Sequence, residues 1–227
     1  KTALVDFVFQ QEVIQKDYFT IDVDILHTTC FKEFIYALGT AAYDKIASRS
    51  DKMKRLFIAT LRSLSASFGY DPIQNTPTFD IKLGDITTPD YTLREIFNFM
   101  EQADKRCLVV IDEFQQITKY PEKNIEAVLR SYIQKMSNAN FVFAGSQRTV
   151  LEEMFLSSRR PFFQSAKLMQ LDAIELSVYQ DFVVGHFREG GKDINPEAVE
   201  VAYRSFRGVT LYMQRVMTDA YATTPQG

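Results

Sequence analysis

The feature that most constrains the fold is the segment CLVVIDE at 107–113, in which five apolar residues are followed directly by two carboxylates. The apolar residues do not alternate with polar ones, which is typical of a strand in the middle of a parallel sheet with both faces covered. Asp112 and Glu113 then follow the carboxyl end of that strand, the edge at which open α/β sheets bind ligands. The segment predicts a central strand with an acidic functional edge; the alternative is an acidic pair that merely ends a strand.

Extended and helical patterns alternate along most of the chain, and this alternation predicts an α/β fold. A capping box formed by Thr92 and Glu95 predicts that one helix begins at Thr92 and runs to about Asp104. Apolar spacing predicts further helices over 1–15, 31–46, 53–64 and 125–136. Strands are predicted over 18–23, 107–111 and 141–144, with a weaker strand over 168–171 and an edge strand over 79–83.

Beyond about residue 173 the pattern changes to helices alone. One helix runs from Ser177 to a glycine pair at 190–191, a second opens with Asn-Pro at 195–196, and a third spans 210–222. We therefore predict an α/β core over 1–174, incomplete at its amino terminus, and a small helical domain with the start of a linker over 175–227.

Composition excludes several classes of protein. With 26 basic and 29 acidic residues the net charge is −3, so nucleic acid is disfavoured as a partner of this segment. No apolar run exceeds five residues, far short of the roughly 20 that cross a bilayer, so no membrane partner is expected. The two cysteines and two histidines have no spacing typical of a disulfide framework or a metal site, which favours a reducing, cytoplasmic compartment.

The opening dipeptide Lys1-Thr2 stands at the start of a predicted helix, in the order in which a phosphate-binding loop ends. In such a loop the lysine reaches the outer phosphates, the hydroxyl coordinates magnesium, and the first-turn amides of the helix point at the phosphates. The glycines of the loop would precede residue 1. An arbitrary start of the chain is the alternative, but the acidic strand end about a hundred residues later favours a truncated phosphate loop.

Two further groups have both a functional and a plain interpretation. Ser146 follows the apolar segment 141–144, where its hydroxyl could hold an attacking water or a terminal phosphate; Gly-Ser is equally a common turn between a strand and a helix. Arg160, in the Arg159-Arg160 pair before Pro161, could bring a guanidinium to a phosphate. A solvated basic turn is the other interpretation of that pair.

Taken together, these segments resemble the archaeal-type ATPases of the AAA+/STAND group of P-loop NTPases, a family also found among bacteria. The resemblance covers nearly the whole chain and rests on KTALVDFVFQ, CLVVIDEFQQI, FVFAGSQRTVLEEMF, SRRPFFQSAKLMQL and RSFRGVTLYMQRVM. It implies a three-layer P-loop sheet, here without its first strand and phosphate loop, followed by a helical lid. It also implies ATP and Mg²⁺ as cofactors and an attached C-terminal domain of winged-helix or nuclease-like type.

The resemblance also implies the functional residues. Lys1 and Thr2 match the end of Walker A, Asp112 and Glu113 match Walker B, and Ser146 matches sensor 1. Six residues form the expected site: Lys1, Thr2 and Asp112 bind the nucleotide, Thr2 and Asp112 also hold the metal, and Glu113, Ser146 and Arg160 serve catalysis.

We therefore expect an ATP-binding module and ATPase that acts as a nucleotide-dependent switch or motor for its C-terminal domain. The segment alone is expected to be inactive, because its phosphate loop is incomplete. Two alternatives stay open: a nucleotide-sensing scaffold without hydrolysis, and an ATPase helper of DNA replication or transposition. Besides ATP and the C-terminal domain, a second copy of the chain is an expected partner.

Overall fold

The computed structural model describes residues 2–71 and 76–226, so Lys1, a predicted nucleotide ligand, lies outside the described residues. The chain divides into two compact units, unit 1 (Lys1–Leu168) and unit 2 (Met169–Gly227). The assignment of 1–174 as a nucleotide-binding core and of 175–227 as a lid and linker stays a prediction.

Unit 1 combines helices with one parallel and one antiparallel sheet. Its strands are β1 (Tyr18–Asp24), β2 (Phe68–Asp71), β3 (Thr76–Phe79), β4 (Arg106–Asp112) and β5 (Ala139–Phe143). Its α-helices are α1 (Thr2–Phe9), α2 (Glu12–Asp17), α3 (Phe31–Lys45), α4 (Asp51–Thr60), α5 (Pro89–Glu101), α6 (Ile125–Ile133) and α7 (Arg148–Leu156). Short 3₁₀ turns cover Ala47–Arg49, Arg62–Ser67, Leu83–Asp85 and Phe114–Lys119.

The parallel sheet has three strands in the order β1-β4-β5. The register of β1 on β4 ends with Asp24 opposite Asp112, and that of β4 on β5 ends with Ile111 opposite Phe143. The carboxyl ends of the three strands therefore lie at one edge of the sheet. The predicted α/β class and the central position of the strand at 107–111 are confirmed.

One face of this sheet forms the main core of unit 1, and its other face is covered unevenly. On the core side, Val109 and Ile111 pack into the large apolar cluster. On the other side, Val110 is only 2% exposed but Val142 of β5 is 41% exposed. The buried strand predicted at 141–144 is thus covered on one face only, because its residues alternate between partly buried and exposed, and it lies at the edge of the sheet among the described residues.

The capping box predicted at Thr92 and Glu95 is wrong. Helix α5 begins at Pro89, a residue that favours the first helical position, so Thr92 and Glu95 lie inside the helix. Glu95 is buried and accepts hydrogen bonds from the backbone N–H (3.0 Å) and the hydroxyl (2.5 Å) of Ser63. The Glu95 carboxylate, which the capping box would have placed at the start of the helix, instead accepts hydrogen bonds from a turn 32 residues earlier in the chain.

Two predicted strands differ from the structure. Residues 168–171 form no regular element, and Leu168 and Leu171 are each 48% exposed. The edge strand predicted over 79–83 is displaced towards the amino terminus: β3 ends at Phe79 and pairs with β2, and Leu83 begins a 3₁₀ turn. Apolar content alone does not make a strand, because a strand needs a neighbour for its backbone hydrogen bonds.

The helix predicted over 1–15 is two helices, α1 and α2. The chain turns between them, where the N–H of Gln11 donates to the carbonyl of Val8. Neither helix contains a buried residue, and Leu4 and Phe7 are 49% and 62% exposed. The apolar spacing correctly indicated helix, but it did not indicate burial.

Unit 2 contains α8 (Leu176–Glu189), α9 (Pro196–Ser205) and α10 (Thr210–Thr223), as the helical pattern predicts. Asn195 caps α9, because its side-chain oxygen accepts from the N–H of Glu197 at 2.9 Å. The helices share an apolar core of Tyr179, Val183, Phe187, Val199, Met213 and Met217. Among the helices that the structure describes, none has both the length and the apolar character needed to cross a bilayer.

Candidate functional site

The first turn of α1 meets the end of β4. The hydroxyl of Thr2 donates a hydrogen bond of 2.6 Å to Oδ2 of Asp112. The other carboxylate oxygen of Asp112 accepts from the backbone N–H of Glu113 at 2.9 Å, and Asp112 is only 9% exposed. The two residues predicted to hold a metal therefore lie side by side at the carboxyl edge of the sheet.

Glu113 and Ser146 are also brought together. The backbone of Glu113 is left-handed, with φ 55° and ψ 38°, a region that residues with a side chain seldom occupy. Its Oε2 accepts from the hydroxyl of Ser146 at 2.8 Å and from the N–H of Ser146 at 3.4 Å. Two of the three predicted catalytic residues are thus in contact across the ends of β4 and β5.

Backbone hydrogen bonds hold this edge together on both sides of β4. The N–H of Ala144 donates to the carbonyl of Ile111 at 3.0 Å, and the N–H of Phe114 donates to the carbonyl of Ala144 at 2.9 Å. On the β1 side, the N–H of Ile25 donates to the carbonyl of Asp112 at 3.3 Å. The acidic pair therefore lies on backbone that is fixed by both neighbouring strands.

The structure adds Gln115, which sequence reasoning missed. Gln115 is 1% exposed and its side-chain amide donates to Oε2 of Glu113, while its Oε1 is buried without a hydrogen-bond partner. A Cβ atom added to Gly145 would lie 2.0 Å from that Oε1. The local sequence carries no signal for this role, because it depends on the backbone conformation of Glu113 and on the approach of Gly145.

Further carboxylates surround Asp112. Burial raises the pKa of Asp22 on β1, the charges of Asp6, Asp112 and Asp24 raise it further, and Lys45 opposes the shift. These carboxylates create a negative potential that a bound cation would relieve. Sequence reasoning used residues 18–23 only as a strand, although the alternating IDVD at 21–24 placed two carboxylates on one face.

The oxygen donors at this edge limit the kind of metal that could bind there. Within the described ranges, no group of three or more His, Cys, Asp or Glu side chains is arranged to hold a metal ion. Thr2 and Asp112 offer only two oxygen ligands, which suits Mg²⁺ bound mainly by substrate phosphates and water with one or two protein oxygens. The residues present therefore fit a magnesium–nucleotide complex rather than a metal held by protein alone.

Arg160, the third predicted catalytic residue, is engaged by carboxylates of α6 and α7. Its guanidinium lies 2.5 Å from Oε1 of Glu126 and 3.7 Å from Oε1 of Glu153. Burial raises the pKa of Glu126, and the neighbouring Arg160 opposes that shift. A role of Arg160 in catalysis stays a prediction.

Comparisons with known proteins identify a similar fold but do not assign the chain to a family. No family model matches the chain, and no curated protein matches it. Among solved structures, the Walker-type ATPase PABY2304 of Pyrococcus abyssi matches with a TM-score of 0.51 and 15% sequence identity over 82% of this chain. The match covers 51% of the other chain, so this chain spans about half its length. At that identity the likeness shows the fold alone, an α/β fold like that of a Walker-type ATPase.

Proposed function

We propose that this chain is an ATP-binding and ATP-hydrolysing P-loop module whose nucleotide lies at the carboxyl edge of the β1-β4-β5 sheet. The observation that carries the proposal is the hydrogen bond from Thr2 to Asp112. It joins the hydroxyl that follows a lysine at the start of a helix to the carboxylate that follows a buried strand. Those are the two protein oxygens that a P-loop enzyme directs towards its magnesium.

In this proposal Thr2 and Asp112 hold Mg²⁺, and Lys1 neutralises phosphate charge. When bound, the metal would reduce the negative charge of the phosphates. The carboxylates of Asp22 and Asp24 strengthen the local preference for a cation. The amide groups in the first turn of α1 would add partial positive charge towards the phosphates.

Glu113 and Ser146 supply the hydrolytic part of the site. Glu113 would orient a water molecule and accept its proton as the water oxygen bonds to the terminal phosphorus and the bridging oxygen leaves with ADP. Ser146, bonded to Glu113, would hold the terminal phosphate or the water. Arg160 could stabilise the transferred phosphoryl group only after its contact with Glu126 is given up.

The finer assignment is also a proposal. We place the chain in the AAA+/STAND group and expect slow turnover that switches or drives an attached C-terminal domain. The motif order and the parallel order β1-β4-β5 support this placement.

The test is Glu113→Gln in the full-length protein. The variant should bind Mg²⁺-ATP with unchanged affinity, because the ligands of the nucleotide remain. It should lose about 100-fold or more of its phosphate release, because the proton acceptor is gone. Unchanged turnover would reject the role of Glu113, and a wild-type protein that binds ATP without releasing phosphate in a single turnover would be a nucleotide sensor instead.

A further inference from the structure

We propose that Gln115 is a positioning residue that holds the Glu113 carboxylate against Ser146, and that residue 145 is glycine to leave room for the Gln115 amide. The inference rests on the proposed function, because it concerns the carboxylate that acts on water. It adds to the six predicted site residues a seventh that is not expected to touch the nucleotide.

The backbone that carries Gln115 is firmly anchored. Gln115 lies in the 3₁₀ turn Phe114–Lys119, and its carbonyl accepts from the hydroxyl of Thr118 at 2.8 Å. The preceding Phe114 is fully buried, with its ring 4.4 Å from that of Phe143 and 5.4 Å from that of Phe162. The side chain of Gln115 therefore starts from a point that is fixed relative to Glu113.

The amide of Gln115 has one favourable orientation. Its Nε2 faces Oε2 of Glu113, and its Oε1 faces Gly145 without a hydrogen-bond partner. Exchanging the two amide atoms would bring an oxygen against the carboxylate, and the two would repel each other. The negative charge of Glu113 therefore determines the amide orientation, at the expense of leaving a buried oxygen unpaired.

Gly145 makes this arrangement possible. An added Cβ would lie 2.0 Å from Oε1 and 3.1 Å from Cδ of Gln115, so a methyl group at this position must displace the amide. The backbone at Gly145 is not among the positive-φ glycines that the structure describes, which are Gly191 and Gly208. The obstacle to alanine at position 145 is therefore contact with neighbouring side chains rather than backbone conformation.

This contact should affect turnover rather than nucleotide affinity. The Glu113 carboxylate accepts from Gln115 and from Ser146 through the same oxygen, so loss of the Gln115 donor should shift that oxygen towards Ser146. A small misplacement of a reacting group can cost about 100-fold in rate. Thr2 and Asp112, which would bind the magnesium, make no hydrogen bond to Gln115 in the described structure.

The first experiment compares two neighbouring glutamines in the full-length protein. Gln115→Met keeps the side-chain volume and removes the donor, so kcat should fall about 10-fold to 100-fold, with the Kd for Mg²⁺-ATP changed less than about threefold. Gln116→Met is the matched control, because Gln116 donates to the carbonyl of Thr28 instead of Glu113. The control should keep kcat within about twofold. An unchanged or raised kcat in Gln115→Met would overturn the inference.

The second experiment is a double-mutant cycle between positions 115 and 145. Gly145→Ala should lower kcat in the wild-type background, because its methyl displaces the Gln115 amide. In a Gln115→Ala background the amide is gone and only Cδ1 of Leu151, the end of a flexible side chain, lies within 3.0 Å of the added Cβ, so adding Gly145→Ala should change kcat by less than about twofold. Independent, multiplicative losses would overturn the coupling between the two residues. Circular dichroism melting identifies any variant that fails to fold. The variants that do fold still test whether Gln115 positions Glu113.

Failure of this inference can be told apart from failure of the proposed function. If the wild-type protein neither binds nor hydrolyses ATP, the proposed function is wrong before any variant is compared. If the wild type hydrolyses ATP and Glu113→Gln does not, but the Gln115 and Gly145 variants match the wild type, only the positioning role is wrong.

Discussion

The hydroxyl of Thr2 lies 2.6 Å from Oδ2 of Asp112, although 110 residues separate the two along the chain. Asp112 is nearly buried, so this hydrogen bond satisfies a charge with little access to water. It also fixes the first turn of a helix that has no buried residue against the central strand. The contact is therefore important both for the position of α1 and for any metal held at this edge.

Thr2→Val should remove the magnesium dependence of nucleotide binding, because it keeps the shape of the side chain and removes its oxygen. We expect Mg²⁺ to strengthen ATP binding to the full-length wild-type protein by about tenfold or more and to have little effect on the variant. The measurement is the Kd of ATP with Mg²⁺ and with EDTA. Thr2→Ser keeps a hydroxyl and should retain most of the effect; equal magnesium dependence in wild type and Thr2→Val would contradict the ligand role.

Asp22→Asn should stabilise unit 1 at neutral pH. Burial and the neighbouring carboxylates raise the pKa of Asp22, so the folded state binds its proton more tightly than the unfolded state does. The charged form of Asp22 therefore costs stability above its raised folded pKa, and that cost disappears as the pH falls below the unfolded value of 3.8.

The measurement for Asp22→Asn is urea denaturation between pH 3 and pH 8. The gain over wild type should be present at neutral pH and should shrink as the pH falls through the raised pKa. Asp80→Asn, which removes an exposed carboxylate of the same unit, is the control and should show a smaller gain. A destabilised Asp22→Asn at neutral pH would contradict the sign of this effect.

The two cysteines should differ in reactivity. Burial raises the pKa of the Cys107 thiol to about 12, and the residue is fully buried within β4. Cys30 is partly accessible. In the native protein a thiol reagent should therefore modify Cys30, whereas Cys107 should react only after unfolding, because the thiolate is the reactive form. Cys30→Ser should abolish native-state labelling; labelling of both thiols without denaturant would show that β4 opens.

Two glycines of unit 2 should respond to alanine in opposite directions. Gly185 lies in the middle of α8 with nothing within 4 Å of an added Cβ, so Gly185→Ala should raise stability by up to about 1 kcal/mol. Gly208 has φ +66°, and an added Cβ would lie 2.7 Å from the Tyr203 ring. Gly208→Ala should therefore lower stability by about 1–2 kcal/mol. Denaturation followed by circular dichroism gives both values, and shifts of the same sign would contradict this prediction.

The parts of the site that sequence could predict are those with a local signature. The apolar run ending in Asp112 and Glu113 indicated the central strand, and the Lys-Thr order indicated the start of a helix near it. Gln115 could not be found in this way. Its role depends on the left-handed backbone at Glu113 and on the approach of Gly145, and neither has a pattern in the local sequence.

Long-range partners explain the predictions that were wrong or stayed untested. Glu95 has the sequence signature of a capping box, but Ser63, 32 residues earlier, provides its hydrogen bonds. Arginine is a residue type that often binds phosphate, but the guanidinium of Arg160 lies close enough to Glu126 to pair with its carboxylate. In both cases the packing of unit 1 determined the partner of the side chain, and that partner lies far away in the sequence.

The left-handed backbone of Glu113 means that stability and the proposed hydrolytic role make opposite demands on one residue. Glycine would adopt this conformation without the cost of about 1–2 kcal/mol that a side chain incurs. A chain optimised only for thermal resistance would therefore carry glycine there and lose its carboxylate. Engineering for heat tolerance should leave this residue alone and seek its gains elsewhere.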